Sequence, residues 1–136
     1  MQAITVKAEV AALDRVTDFV NETLEALGCP MKTLMQIDLA VEEIFVNIAS
    51  YAYGPEGGDA VIRVSAADGG VRLVFEDRGI PFDPTAREDP DRTAAAEERQ
   101  IGGLGIFLTK KLMDAVAYEY RDGMNILTIE KKTGTG

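Results

Sequence analysis

Glu43 and Asn47 stand four residues apart in the stretch LAVEEIFVNIASYAY, residues 39–53. That spacing sets two side chains on one face of an α-helix. A carboxylate can take a proton from a hydroxyl, and a carboxamide oxygen is a neutral ligand for a hard cation such as Mg2+. Two further groups could act with them. Asp77-Arg78-Gly79 closes the apolar run VRLVFE, and an aspartate at a strand end can accept a hydrogen bond from an exocyclic base amine. Gly79 beside it would let a base approach the backbone. Gly103-Leu104-Gly105 precedes the apolar run IFLTKKLM, and glycines at a helix N-terminus expose unpaired N–H groups suited to phosphate. Each signal is weak by itself. A Glu/Asn pair is common on a solvated helix, Asp-x-Gly is most often a turn, and the glycine cluster has neither Walker A nor Rossmann spacing. Their order along one short chain is what gives them weight.

Stepping outward, the elements that must hold these groups can be read from the sequence. A helix from about residue 31 to just before Gly54-Pro55 carries Leu34, Ile37, Val41, Ile44, Phe45, Ile48 and Ala52 on one broad apolar face, with Leu39 and Val46 nearly opposite. Between them runs a narrow stripe of Gln36, Ala40, Glu43, Asn47 and Ser50. Such a seam suits the wall of a pocket rather than an ordinary surface helix. Alternation predicts a strand near residues 3–8, and apolar spacing predicts a helix over 11–27, stopped by Gly28. Strands at 60–64 and 71–76 meet across Asp68-Gly69-Gly70, and strands at 116–120 and 125–131 meet across residues 121–124. Both connections carry hairpin chemistry. Residues 80–101 hold three prolines and many charges, the composition of a lid or binding loop, with a short polar helix at 93–100. The order is β-α-α-β-β-lid-α-β-β. Because strands come as hairpins, the economical fold is α+β, an antiparallel-rich mixed sheet with helices on one face.

The chain has 136 residues, enough for one domain with one core. Lys and Arg number 14 against 23 Asp and Glu, a net charge of 14 − 23 = −9. That argues against nucleic acid as a partner, whose affinity rests on Lys and Arg. A single bound nucleotide is still compatible, since backbone amides and a metal can carry its phosphates. There is no histidine and one cysteine, Cys29. Histidine catalysis, phosphohistidine and an intramolecular disulfide are thereby excluded, and a reducing cytoplasm is the expected compartment. No signal-like start and no apolar run of membrane-spanning length is present, so no membrane partner is expected.

Glu43-x-x-x-Asn47, the run Asp77-Arg78-Gly79-Ile80-Pro81-Phe82-Asp83-Pro84 and Gly103-Leu104-Gly105-Ile106-Phe107-Leu108 together resemble the N, G1 and G2 boxes of the GHKL ATPases, most of all their anti-sigma-factor serine/threonine kinase branch. The resemblance implies a two-layer Bergerat fold over residues 1–136, an ATP lid at about 83–102, and binding of ATP with Mg2+. Residue by residue, it implies Glu43 as general base and Asn47 as Mg2+ ligand. Asp77 becomes the adenine-reading carboxylate with Gly79 beside it, and Gly103, Leu104 and Gly105 the phosphate turn. Thr128, in Asn-Ile-Leu-Thr-Ile, is implied as a strand threonine supporting the adenine site. It further implies a sigma factor and a STAS-type anti-sigma-factor antagonist as partners, and a homodimer. Three positions depart from the pattern: Pro81 at the last glycine of the G1 box, Ile101 where the phosphate turn often has glycine, and Tyr51 where many relatives have histidine. The first two are expected to stiffen the lid hinges; none removes Glu43 or Asn47.

The leading expectation is an ATP-dependent protein serine/threonine kinase, with Arg87, Arg92 and Arg99 as basic lid residues. Two alternatives remain open at this point: a nucleotide-binding regulatory module without phosphoryl transfer, and an ATP-hydrolysing component of a larger signalling system.

Overall fold

Alternating burial draws the sheet. The computed structural model describes residues 1–83 and 109–133. In β2 (Asp59–Ala67), Ala60, Ile62 and Val64 are buried; in β3 (Gly70–Asp77), Val71, Leu73, Phe75 and Asp77 take the buried places. Asp77 is thus the last residue of the core-facing row, delivered by the two-residue period of the strand. With β1 (Gln2–Lys7), β4 (Ala115–Arg121) and β5 (Met124–Lys132), these form one five-stranded sheet in the order β1-β2-β3-β5-β4. Every pairing among the described strands is antiparallel, in line with the antiparallel-rich sheet expected from the hairpins. Hairpins join β2 to β3 and β4 to β5, and each forces opposite directions on its strands. At the second hairpin Asp122 (φ 55°) and Gly123 (φ 78°) are both left-handed, as a tight two-residue turn requires.

The helices cover one face. After a 3-10 turn (Val10–Ala12), α1 (Leu13–Ala26) buries Val16, Val20 and Leu24, one residue per turn. Pro30 leads into α2 (Met31–Tyr51), which buries Leu34, Ile37, Ala40, Val41, Ile44 and Phe45. The core lies between these helices and the inward residues of the sheet. Ile37, Ile44 and Phe45 from α2 meet Ile62, Leu73, Phe75 and Ile129 from the strands, all essentially inaccessible to solvent. Burial of each such side chain contributes about 1.5–3 kcal/mol. The opposite face of the sheet is mixed: the ion pairs Arg63–Glu76 (3.2 Å) and Arg72–Glu130 (2.6 Å) cross it beside Val61, Val74 and Ile126. This is a two-layer α+β architecture.

The polar seam of α2 does not lie between two buried flanks. Leu39, on the far side, is 54 % exposed, and Val46 is only half-buried. The seam itself is unevenly buried: Ala40 and Asn47 are buried, Gln36 and Glu43 half-buried, and Ser50 exposed. Of the helix expected after Gly105, only the last turn, residues 109–112, falls within the described residues. It packs with Thr109 fully buried, the Met113 amide donates to the Thr109 carbonyl (2.9 Å), and Lys131 Nζ donates to the Leu112 carbonyl (2.6 Å). Gly103, Leu104, Gly105, the basic residues Arg87, Arg92 and Arg99, and the short helix at 93–100 lie outside the described residues.

Candidate functional site

Between the C-terminal half of α2 and the end of β3 lies a cleft, partly open to solvent, with a cavity volume of about 40 Å³. Ile44, Asn47, Ile48 and Tyr51 form its helical wall, while Phe75, Asp77 and Leu127 form the sheet side. Ile80 and Phe82, on the segment leaving β3, close a third side, and the rings of Phe82 and Tyr51 lie 6.1 Å apart. The cleft is therefore mostly apolar with a few placed polar groups, the usual constitution of a small-molecule site.

Asn47 is 7 % exposed, yet neither its Oδ1 nor its Nδ2 has a hydrogen-bond partner among the described residues. A buried carboxamide without partners costs about 1–3 kcal/mol. A buried polar group without a protein partner calls for a water, an ion or a functional role. The donor set suits Mg2+, which keeps most of its waters and takes one or two protein oxygens beside substrate phosphates.

Asp77 is also 7 % exposed, and it is held by one oxygen. Its Oδ1 accepts from the Gly79 amide (2.9 Å) and from Asn125 Nδ2 (2.9 Å), while Oδ2 makes no hydrogen bond among the described residues. Asn125 sits directly across from Asp77 in the β3–β5 ladder. It also donates to the Ile80 carbonyl (2.8 Å) and accepts from the Phe82 amide (3.1 Å) and the Tyr118 hydroxyl. Burial, the largest influence, pushes the Tyr118 hydroxyl above its ordinary range, so it remains a donor to Asn125. Burial likewise raises Tyr53, whose hydroxyl donates to the Asp59 carbonyl (2.6 Å) and accepts from the Arg78 amide (2.8 Å).

The structure brings Asn47 and Asp77 into one cleft, with Gly79 immediately beside it. Glu43 lies one turn before Asn47 on α2, half-buried, and is not among the residues that line the cleft. Thr128 is placed differently from its expected role. Asn125, Leu127 and Ile129 fill the inward places of β5, so Thr128 falls on the opposite face, paired with Val74 and Ala117. The strand residue that touches Asp77 is Asn125. The sequence held one signal for it: a polar residue opening the inward row Asn125-Leu127-Ile129, as Asp77 ends the row Val71-Leu73-Phe75. Gly79 also has a different reason for being glycine. The room a side chain would need is filled by α2: a Cβ there would lie 2.0 Å from the Ala52 carbonyl oxygen.

The fold presents an antiparallel sheet under one layer of helices, with a buried helix asparagine and a strand-end aspartate lining one cleft. The sequence matches the histidine kinase-like ATPase domain family over residues 6–131, and the chain belongs to it. Among characterised relatives, it is similar to the serine/threonine-protein kinase BtrW of Bordetella bronchiseptica, at 34 % identity over 68 % of this chain and 66 % of BtrW. It is also similar to the serine-protein kinase RsbW of Listeria monocytogenes, at 27 % identity over 89 % of this chain and 79 % of RsbW. Two solved structures share the fold at 17 % identity. One contains the RsbU and RsbW domains of a Mycobacterium tuberculosis protein, with a TM-score of 0.65 over 97 % of this chain and 32 % of that one. The other is the SiaB-SiaC complex of Pseudomonas aeruginosa, with a TM-score of 0.61 over 96 % of this chain and 89 % of that one. No helix among the described residues is long and apolar enough to cross a membrane.

Proposed function

We propose that this protein is an ATP-dependent protein serine/threonine kinase that acts as an anti-sigma-factor switch, phosphorylating a STAS-type antagonist. The observation that carries the reading is the buried carboxamide of Asn47, without a hydrogen-bond partner among the described residues, lining the same cleft as Asp77. The kinase names of its relatives support the choice of acceptor.

In this reading Asp77 Oδ2 accepts from the 6-amino group of adenine, and the apolar walls exclude water from the base. Asn47 Oδ1 would hold Mg2+, which neutralises phosphate charge when bound. Glu43 takes the proton from the attacking serine or threonine hydroxyl. The hydroxyl oxygen bonds to the γ-phosphorus, the bond from that phosphorus to the bridging oxygen breaks, and ADP leaves. Gly103, Leu104 and Gly105 would hold phosphate, within or beside a lid at about 83–102. A sigma factor as second partner and a homodimer belong to the same proposal. β1 lies at an edge of the sheet, where unpaired backbone groups favour pairing between copies.

The test is Glu43→Gln, assayed with the product of a neighbouring STAS-type gene as acceptor. ATP binding should persist within about threefold, while phosphate transfer falls at least about 100-fold, the scale of a lost general base. A second reading, a nucleotide-binding module without transfer, is favoured by the absence of Glu43 from the cleft-lining residues. Wild-type protein that binds ATP but phosphorylates no acceptor would select it.

A further inference from the structure

We propose that Asn125 is a positioning residue that sets base selectivity by holding the Asp77 carboxylate in one orientation. This rests on the reading of the cleft as a nucleotide site. A carboxamide offers two donor hydrogens and two acceptor lone pairs. In Asn125 all are used: Nδ2 donates to Asp77 Oδ1 (2.9 Å) and the Ile80 carbonyl (2.8 Å), and Oδ1 accepts from the Phe82 amide (3.1 Å) and the Tyr118 hydroxyl. The residue is 7 % exposed. A fully satisfied buried polar network is rigid, because any rotation strands several groups at once.

That rigidity is passed to two parts of the site. The Asp77 carboxylate is held through Oδ1 by the Asn125 amide and the Gly79 amide (2.9 Å). It can turn only by breaking both bonds, so one oxygen stays tied to these amides and the other is left for a ligand. Ile80 and Phe82, the other groups tied to Asn125, line the same cleft. One side chain therefore fixes both the carboxylate that reads a base edge and the wall against which the base rests. An acceptor-only oxygen held in place welcomes a base carrying an exocyclic amine. It repels one carrying a carbonyl there, because two acceptors would then face each other unpaired. A carboxylate free to turn loses much of that distinction.

If Asn125 only braced the β3–β5 ladder, its loss would weaken the fold and the binding of all nucleotides alike. The two roles separate in a calorimetric titration of ATP and of inosine triphosphate, which has a 6-oxo group for the 6-amino group, each with Mg2+. Wild type should favour ATP. In Asn125→Ala, ATP affinity should fall about 10- to 100-fold with inosine triphosphate moved by less than about threefold, so the preference collapses. Asn125→Asp keeps the acceptor for Tyr118 and Phe82 but loses both donors, and should collapse it too. A folded variant that keeps the wild-type ratio overturns the proposal alone; a wild type that binds neither nucleotide overturns the nucleotide reading with it. If neither variant folds, nitrogen-15 spectra of the wild type decide. Adenosine monophosphate should shift the Asn125 side-chain amide and the Phe82 amide, and inosine monophosphate should not. Equal shifts from both ligands, or none at Asn125 while Gly79 responds, overturn it.

Discussion

The backbone of Gly79 lies against the last turn of α2. A Cβ at Gly79 would stand 2.0 Å from the Ala52 carbonyl oxygen and 2.6 Å from the Ala52 Cβ, and the next residue, Ile80, donates its amide to that same oxygen (2.8 Å). This contact locks the helix that carries Asn47 to the strand end that carries Asp77. The two walls of the cleft are thereby set by backbone against backbone, with no side chain able to yield between them.

Gly79→Ala should therefore disturb both stability and site. Overpacking in a tight contact costs about 1–3 kcal/mol, and here the obstacle is a carbonyl already engaged with Ile80. A lowered denaturation midpoint together with weakened ATP binding is the expected outcome. Adding Ala52→Gly should not restore either, because the clash is with backbone. Full rescue by the double variant would show that the Ala52 methyl, and not its carbonyl, excludes the side chain.

Asn47 offers the opposite trade. Its carboxamide is buried without a hydrogen-bond partner among the described residues. Asn47→Leu replaces it with an apolar group of similar size. We expect the ligand-free variant to gain about 1 kcal/mol, within the range released when an unpaired buried group is removed. Mg2+-dependent ATP binding should be lost. Chemical denaturation with and without nucleotide reads both effects, and a variant less stable than wild type would contradict the account.

Local signals carried much of this structure. Pro30 and Gly54-Pro55 bracket α2 as their backbone chemistry requires, and the Asp-Gly turns mark both hairpins. The two-residue period puts Asp77 in the inward row, and the i, i+4 spacing puts Asn47 on the inward side of α2. What a local reading cannot supply is which strand lies beside β3 and in what register. Asn125 reaches Asp77 from 48 residues away, and nothing near either residue announces the pairing. An odd shift along a strand exchanges its faces, which is why Thr128, three residues on, looks equivalent in sequence and stands on the far side of the sheet. Leu39 misled in another way: it stands on the second apolar side of α2, yet it is more than half exposed and no layer among the described residues covers it.

The register makes a direct prediction. Thr128→Val keeps shape and β-branching while removing the hydroxyl, on a face of the sheet that does not meet the cleft. ATP affinity should stay within about twofold of wild type and stability within about 0.5 kcal/mol, as for a substitution away from any special contact. A tenfold loss of affinity would return Thr128 to the site.

Stability at high pH follows from three buried or half-buried acids. Burial raises Cys29 above its ordinary 9.0, and it raises Tyr53 and Tyr118 above their ordinary 10.0. The folded chain then keeps protons that the unfolded chain releases, so in that range stability falls as pH rises. The contribution is fully present below the ordinary values and is lost as pH climbs through them towards the raised ones. Denaturation midpoints measured from about pH 8 to 11 should decline, and the decline should be shallower in Tyr53→Phe and Tyr118→Phe, which cannot ionise. Tyr118→Phe should also start lower, because the Asn125 carbonyl oxygen loses the hydroxyl that donates to it. Equal slopes in wild type and both variants would place the alkaline sensitivity elsewhere in the chain.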